Sequence, residues 1–251
     1  MIEDVAIIIL AAGKGTRMKS DLAKVLHPVA GKSMILHVVE CAMAVAPDHL
    51  HVIVGHQADM VKSEVSKNFS VYFAIQEALL GTGDAVRSAL PGLAESIRHV
   101  LVLCGDVPLI RKKTIRNLVK GHKASGVHLS VLAVNVPEPK GYGRIIQGQE
   151  GTLLAIREEA DATEGEKNIN LVNSGIYCFD RDFLESGIKL IGNDNNQDEY
   201  YLTDLVEIAV SKGLKTRVEI MENPNEVIGV NTLTDLEKAE VLFQQIQDEL
   251  P

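Results

Sequence analysis

Positive charge is in deficit in this chain. Twenty-five Lys and Arg stand against 34 Asp and Glu, a net charge of −9, which argues against a general binder of nucleic acid or of membrane surfaces. Cysteine is scarce as well. Cys41, Cys104 and Cys178 are odd in number and widely spaced, with no C-x-x-C pair, so they suggest neither a disulfide framework nor a zinc site and read as buried thiols. The eight histidines show no H-x-x-x-H spacing, and no G-x-S-x-G nucleophile elbow is present. Long apolar runs are missing too. The one behind the acidic start Met1-Ile2-Glu3-Asp4 is too short to span a bilayer or to act as a secretory signal, so the expected location is cytoplasmic. Asn68-Phe69-Ser70, formally a glycosylation acceptor, is then a coincidence. No internal repeat, low-complexity segment or Ser/Gly linker divides the chain.

What is present is an ordinary globular composition, 46% hydrophobic and 24% charged, long enough at 251 residues to bury one sizeable core. Its most informative stretch is Leu10-Ala11-Ala12-Gly13-Lys14-Gly15-Thr16-Arg17-Met18, with Lys24 soon after. It follows the β-branched run Val5 to Leu10, which reads as a short buried strand. Glycines here open backbone conformations closed to other residues and leave bare N–H groups for a ligand. Lys14, Arg17, Lys19 and Lys24 add positive charge against an acidic background, and the natural guest is a polyphosphate. Two better-known phosphate loops are excluded: Met18 stands where G-x-G-x-x-G needs its third glycine, and Leu26 stands where a nucleotide loop ending Gly31-Lys32-Ser33 needs its first. The loop by itself also fits a plain strand-to-helix turn.

Strand and helix alternate through the first half. Met34, Ile35, Val38, Val39, Ala42 and Met43 recur at helical spacing. His51 to Val54, Val71 to Ala74 and Val100 to Leu103 read as strands, Asp59 to Lys67 and Ala85 to Leu90 as helices. That pattern predicts an α/β fold, a largely parallel sheet with helices on both faces. In the second half Leu129 to Val134, Arg144 to Ile146, Leu153 to Ile156 and Leu171 to Phe179 are strand-like, separated by turn signals at Pro137, Pro139, Gly141, Gly148 and Gly151, which predicts a mixed sheet or a small β lobe. Thr234 with Glu237 reads as a capping box before a closing helix whose stripe is Leu236, Ala239, Phe243, Ile246 and Leu250.

Leu101 to Leu109 ends an apolar strand with Gly105-Asp106. Ligands of open α/β sheets collect beyond the carboxyl ends of the strands, so Asp106 shares a crevice with the basic loop and becomes a candidate Mg²⁺ ligand, with Asn231 as a second oxygen. A calcium loop at Asp194 to Asp198 fails, because Glu199 and Leu205 occupy the positions that need glycine and glutamate. With no obvious covalent nucleophile, phosphoryl chemistry by positioning and charge stabilisation remains.

These motifs occur in a telling order: Leu10 to Lys24, Gln76 with Gly81-Thr82-Gly83, Gly105 to Leu109, Gly141 to Ile145, Asn173 to Tyr177, Glu199 to Asp204, and Gly229-Val230-Asn231. The set resembles the sugar-nucleotide pyrophosphorylases, and looks most like the uridylyltransferase domain of the bacterial bifunctional N-acetylglucosamine-1-phosphate uridylyltransferases. The resemblance implies a Rossmann-like mixed, mostly parallel sheet with a small β-rich sugar-binding lobe. It divides the chain into a nucleotidyltransferase domain over 1–231, with a nucleotide half to about 126 and a sugar half from about 127, and a C-terminal helix over 232–251.

It further implies UTP and a sugar 1-phosphate as partners and Mg²⁺ as cofactor, held by Asp106 and Asn231. Arg17 and Lys24 take the catalytic places. Leu10, Ala11, Ala12, Gly13, Gly15, Gln76, Gly81 and Thr82 surround the nucleotide, and Gly143, Glu158, Asn173, Tyr201 and Thr203 the sugar. No nucleic acid or membrane partner is expected. Ala23, Leu79, Asp84 and Cys104 depart from the family pattern, where proline, glutamine, histidine and tyrosine are usual. The acetyltransferase half of the bifunctional enzymes has no counterpart in these 251 residues. Another nucleotide and sugar pair, such as dTTP with glucose 1-phosphate, or a non-catalytic sugar-nucleotide binder, are the alternative readings. The presence of Arg17, Lys24, Asp106 and Asn231 together weighs against the last.

Overall fold

A computed structural model describes residues 4–248. In chain order the elements are β1 (Val5–Ala11), β2 (Pro28–Val29), β3 (Lys32–Ser33), α1 (Met34–Met43), β4 (Leu50–Val54), α2 (Ala58–Ser66), β5 (Tyr72–Ile75), α3 (Thr82–Ala89) and β6 (His99–Cys104). Then come α4 (Lys112–Ser125), β7 (Leu129–Asn135), β8 (Arg144–Gln147), β9 (Leu153–Arg157), β10 (Leu171–Asp180), α5 (Arg181–Gly187), α6 (Asp204–Ser211), β11 (Thr216–Met221) and α7 (Leu233–Asp248).

The strands form one mixed sheet in the order β11-β7-β10-β6-β1-β4-β5, with the β8-β9 hairpin attached to β10 through Val172 and Arg144. β1 pairs in parallel with β4 and β6, and β4 with β5. β10 enters antiparallel to both β6 and β7, and β11 returns parallel to β7. Strands from both halves of the chain therefore share a sheet; β8 and β9 branch from it as a small β lobe, and β2 and β3 pair apart from it as a two-stranded hairpin.

Burial explains the unbroken apolar run of β1. Val5, Ile7, Ile9 and Ala11 face a core shared with Ile35, Val38 and Val39 of α1, Val61 and Val65 of α2, and Ile115 and Leu118 of α4. Ala6 and Ile8 face the opposite core, with Val86 of α3, Leu184 of α5 and Leu205 and Val206 of α6. A strand covered on both faces has no polar side to show, so it reads as a continuous hydrophobic segment. Of the three thiols expected to be buried, Cys178 is so, whereas Cys41 and Cys104 are only half-buried.

The closing helix is capped two residues earlier than the Thr234 pattern predicts. The box is Thr232 with Asp235: Thr232 Oγ1 accepts from the Asp235 amide at 3.1 Å, and Asp235 Oδ2 accepts from the Thr232 amide at 2.9 Å. The same Asp235 oxygen accepts from the amide of Asn231 at 3.1 Å, so the cap also fixes a candidate site residue. Leu236, Ala239 and Phe243 pack with Val29, Met34 and Val230, which clamps α7 over the β2-β3 hairpin. The Ile246 side chain and Leu250 lie outside the described residues. Replacing a cap threonine with alanine removes one satisfied amide at a helix start, so Thr232→Ala should cost about 1 kcal/mol of stability, read as a lowered urea midpoint with unchanged slope.

Candidate functional site

The site is assembled from turns at the carboxyl ends of four neighbouring strands. β1 delivers Ala12 to Met18, β4 Gly55, β5 Gln76, and β6 Gly105-Asp106. The turn after β1 is pinned by its neighbours: the His56 amide donates to the Ala12 carbonyl at 2.9 Å and the Gly105 amide to the Leu10 carbonyl at 2.9 Å. The two loop glycines act differently. Gly15 sits at φ +64°, and a Cβ there would stand 2.5 Å from the Cβ of Lys24, so its bareness admits the lysine. Gly13 is not at positive φ, and a Cβ on it would meet nothing within 4 Å; it borders open space.

Lys24, Asp106, Asn231 and Arg17, scattered over more than two hundred positions, converge. Half-buried Lys24 makes an ion pair with Asp106, and its Nζ donates to Asn231 Oδ1 at 3.0 Å. Exposed Arg17 donates to the same Asn231 oxygen at 2.8 Å. Asp106 is held by the Val230 amide, which donates to its carbonyl at 2.9 Å. A carboxylate and an amide oxygen thus aim at one point where a cation already stands, a hard-oxygen pair suited to a divalent ion that takes its remaining ligands from phosphate and water.

Two clefts meet there. The larger, about 460 Å³, is lined by Leu10 to Thr16, Lys24, Gln76, Leu79, Gly81, Thr82, Ala85, Asp106 and Glu199. The smaller, about 200 Å³, includes Gly143, Glu158, Asn173, Tyr177, Thr203 and Asn231. Leu10, Thr82, Cys104 and Asp106 line both. The rim is stitched by the segment that follows Glu199. The Gly83 amide donates to the Tyr200 carbonyl at 2.7 Å and the Leu202 amide to Thr82 Oγ1 at 3.0 Å. Gly81, at φ +107°, could not carry a side chain, since a Cβ would meet the Tyr200 carbonyl at 2.7 Å.

In the smaller cleft, Thr203 Oγ1 donates to Glu158 Oε1 at 3.1 Å. Burial pushes the Glu158 carboxyl above its usual range, the threonine hydroxyl pulling the other way and Asp161, Asp204 and Glu199 adding to the rise. Asn173 is held by its neighbours, its amide nitrogen donating to the Tyr177 hydroxyl at 2.6 Å and its oxygen accepting from the Gly175 amide at 3.0 Å. A bulge in β10 between Asn173 and Ile176, with Gly175 at φ +77°, turns this segment toward the cleft.

One expected sugar residue lies elsewhere: Tyr201 is buried outside both linings, its hydroxyl accepting from Gln197 at 2.7 Å. Arg17 stands beside the larger cleft's lining and reaches the site through Asn231. Tyr177, Glu199 and Tyr142 lie within the ordered motifs and line the clefts, although no site role for them was read from the sequence. The sequence signal for Tyr177 was the Ser-Gly pair interrupting an apolar strand. Cys104 also lines both clefts, but burial pushes its thiol up to about 12, so it is not a thiolate nucleophile at neutral pH.

Beneath the smaller cleft, burial and the neighbouring Glu207 raise Asp204 to about 6, against the pull of Arg157. A carboxyl whose folded pKa lies above its unfolded value contributes stability below the unfolded pKa and loses it as pH rises through the folded one. Asp204→Asn should therefore gain stability relative to the parent protein as pH is raised from 4 to above 6. Paired urea melts at pH 4.5 and pH 8 check this, and an equal difference at both would contradict the assignment.

Comparison with known proteins agrees with this architecture. The nucleotidyl transferase family model matches residues 6–225. Bifunctional protein GlmU of Geobacter metallireducens is 48% identical over 236 residues, which is 94% of this chain and 50% of that protein. GlmU of Lactobacillus gasseri is 44% identical over 239 residues, 95% of this chain and 51% of its own. The chain thus spans about half the length of these curated relatives. Among solved structures, a candidate glucose-1-phosphate thymidylyltransferase from Bacillus anthracis, in complex with a sucrose, superposes with a TM-score of 0.75 at 21% identity, covering 95% of this chain and 94% of that one, a likeness of fold. With a family match over most of its length and a site built at the strand ends of that fold, the chain belongs to the nucleotidyl transferase family.

Proposed function

We propose that this chain joins UTP to N-acetyl-α-D-glucosamine 1-phosphate, giving UDP-N-acetylglucosamine and pyrophosphate. The observation that carries the reading is the meeting of two unequal clefts at Asp106, with Lys24 and Arg17 at the junction. Two anionic substrates entering from the two sides bring a phosphate oxygen of one against a phosphorus of the other beside fixed positive charge. The choice of uracil and N-acetylglucosamine rests on the family resemblance of the ordered motifs and on the identity to the GlmU proteins.

The nucleotide occupies the larger cleft, with its phosphates over Ala11, Ala12, Gly13 and Gly15 and its base toward Gln76, Gly81 and Thr82. The sugar occupies the smaller, with Glu158 and Asn173 placed for its hydroxyls beside Gly143 and Thr203. The attacking oxygen belongs to a phosphate that is already ionised, so no general base is required. The barrier is repulsion between anions, which Lys24 reduces near the reacting phosphorus and Arg17 near the departing pyrophosphate. Asp106 and Asn231 would hold a divalent ion, taken as Mg²⁺, which supplies Lewis-acid stabilisation of phosphate oxygens. In this scheme Lys24 exchanges part of its contact with Asp106 for substrate oxygens.

Turnover of UTP with N-acetylglucosamine 1-phosphate in Mg²⁺, read as pyrophosphate release, tests the reading against CTP, GTP, dTTP and glucose 1-phosphate. A preference for another pair would move the substrate assignment and keep the mechanism, and no turnover with any pair would favour a binding protein. Arg17→Ala and Lys24→Ala should each lower kcat by about two orders of magnitude or more, the scale of losing one preorganised charge-stabilising group. Near-normal turnover in either variant would remove that residue from the mechanism.

A further inference from the structure

At the end of the larger cleft away from the ion pair, one amide side chain is held by both of its hydrogens. Gln76 is 5% exposed, and its Nε2 donates to the Gly81 carbonyl at 3.0 Å and to Asp84 Oδ2 at 3.0 Å. Its backbone is anchored too, the amide donating to the Val54 carbonyl at 2.8 Å. A primary amide has two donor hydrogens, so this one has none left. Among the described residues, Oε1 has no protein partner, although the residue lines the cleft, and what Gln76 offers a ligand there is an acceptor.

Its placement suits the edge of a nucleobase. Gln76 follows β5, three strands from β6 and Asp106, a lateral separation of about 14 Å at the usual strand spacing. Leu10, Ala12, Leu79 and Ala85 supply apolar wall between the charged loop and this amide. Asp84 is in the first turn of α3, with Arg87 at 3.8 Å, its one ion pair among the described residues. An ionised carboxylate can only accept, so it excludes the flipped amide, which would set oxygen against oxygen.

We propose that Asp84 is a positioning residue for base selection: through Gln76 it presents a carbonyl that accepts the N3–H of uracil or thymine and rejects cytosine, whose N3 is itself an acceptor. The inference rests on the nucleotide-binding reading above and specifies its selectivity. The Gly81 carbonyl favours the same orientation, and Asp84 adds the second, charged lock. A site built around a fixed acceptor discriminates strongly because a mismatched base leaves a buried polar group unpaired.

Equilibrium binding of UTP and CTP in Mg²⁺, which needs no turnover, is the test. In Asp84→Asn the new side chain can either accept from Gln76 or donate to it, so a flipped amide gains a hydrogen bond there that offsets its loss of the Gly81 contact. The UTP-to-CTP affinity ratio should fall by about tenfold, the scale of one hydrogen bond between buried groups, with the matching change in KM rather than kcat. Asp84→Leu, which offers no donor and leaves the Gly81 contact in place, should fall less. In a Gln76→Met background, Asp84→Asn should leave the ratio unchanged, a result a merely structural role of Asp84 would not produce. Folded Asn and Leu variants with the parent's ratio would overturn the proposal while leaving the nucleotide reading intact. A parent protein that binds neither nucleotide would overturn both.

Discussion

The contact between Lys24 and Asp106 is the constraint around which the rest of the site is arranged. The residues are 82 positions apart, both half-buried, and neither charge is tolerable there alone, since a charge partly withdrawn from water is stabilised chiefly by its partner. Their pairing requires that the turns after β1 and β6 stay in contact, which the bare Gly15 and the Gly105 amide secure from either side. It also sets the charge of the resting site. Around the larger cleft three cations, Lys14, Arg17 and Lys24, face two carboxylates, Asp106 and Glu199, leaving a single positive surplus. Were two polyanions to meet here as proposed, a further cation held by Asp106 and Asn231 would add to that surplus.

The architecture supplies what side-chain chemistry lacks. Parallel strands end side by side, so residues widely separated in sequence reach one crevice without any long loop having to fold back. α7 extends the arrangement. Its cap holds the Asn231 backbone while its apolar stripe grips the hairpin that begins just after Lys24. Two ends of the cluster are therefore fastened to a single helix, and the stability of that helix is tied to the geometry of the junction.

Much of this was legible in the residues. The continuous apolarity of Val5 to Leu10 announced a strand buried on both faces, and Asp106 was placed by its position after such a strand. Other features were hidden for physical reasons. α4 buries a narrow stripe, Ile115, Leu118 and Val119, within largely polar surroundings, so local composition understates it. The cap at Thr232 was missed because Thr234 and Glu237 repeat its pattern two residues on, and only the extended path of the chain through Asn231 decides between the two. Tyr201 belongs to a motif that borders the cleft, yet side-chain direction within a motif depends on backbone turns that spacing does not reveal. The lock on Gln76 joins residues eight positions apart and was visible in the sequence only as an unusual aspartate.

β10 carries a consequence for motion. It runs for ten residues from the middle of the sheet to the small lobe, bonded to β7 on both sides of the Gly175 bulge, to β6 at one end and to β8 at the other. Asn173 and Tyr177, which border the smaller cleft, are thus riveted to the same slab that carries Asp106. A floor built this way cannot swing toward the larger cleft as a hinged lid does. Any approach of two substrates bound as proposed would fall to the parts not woven into the slab, the basic turn from Gly13 to Arg17 on one side and the ends of the β8-β9 hairpin, where Gly143 and Glu158 stand, on the other.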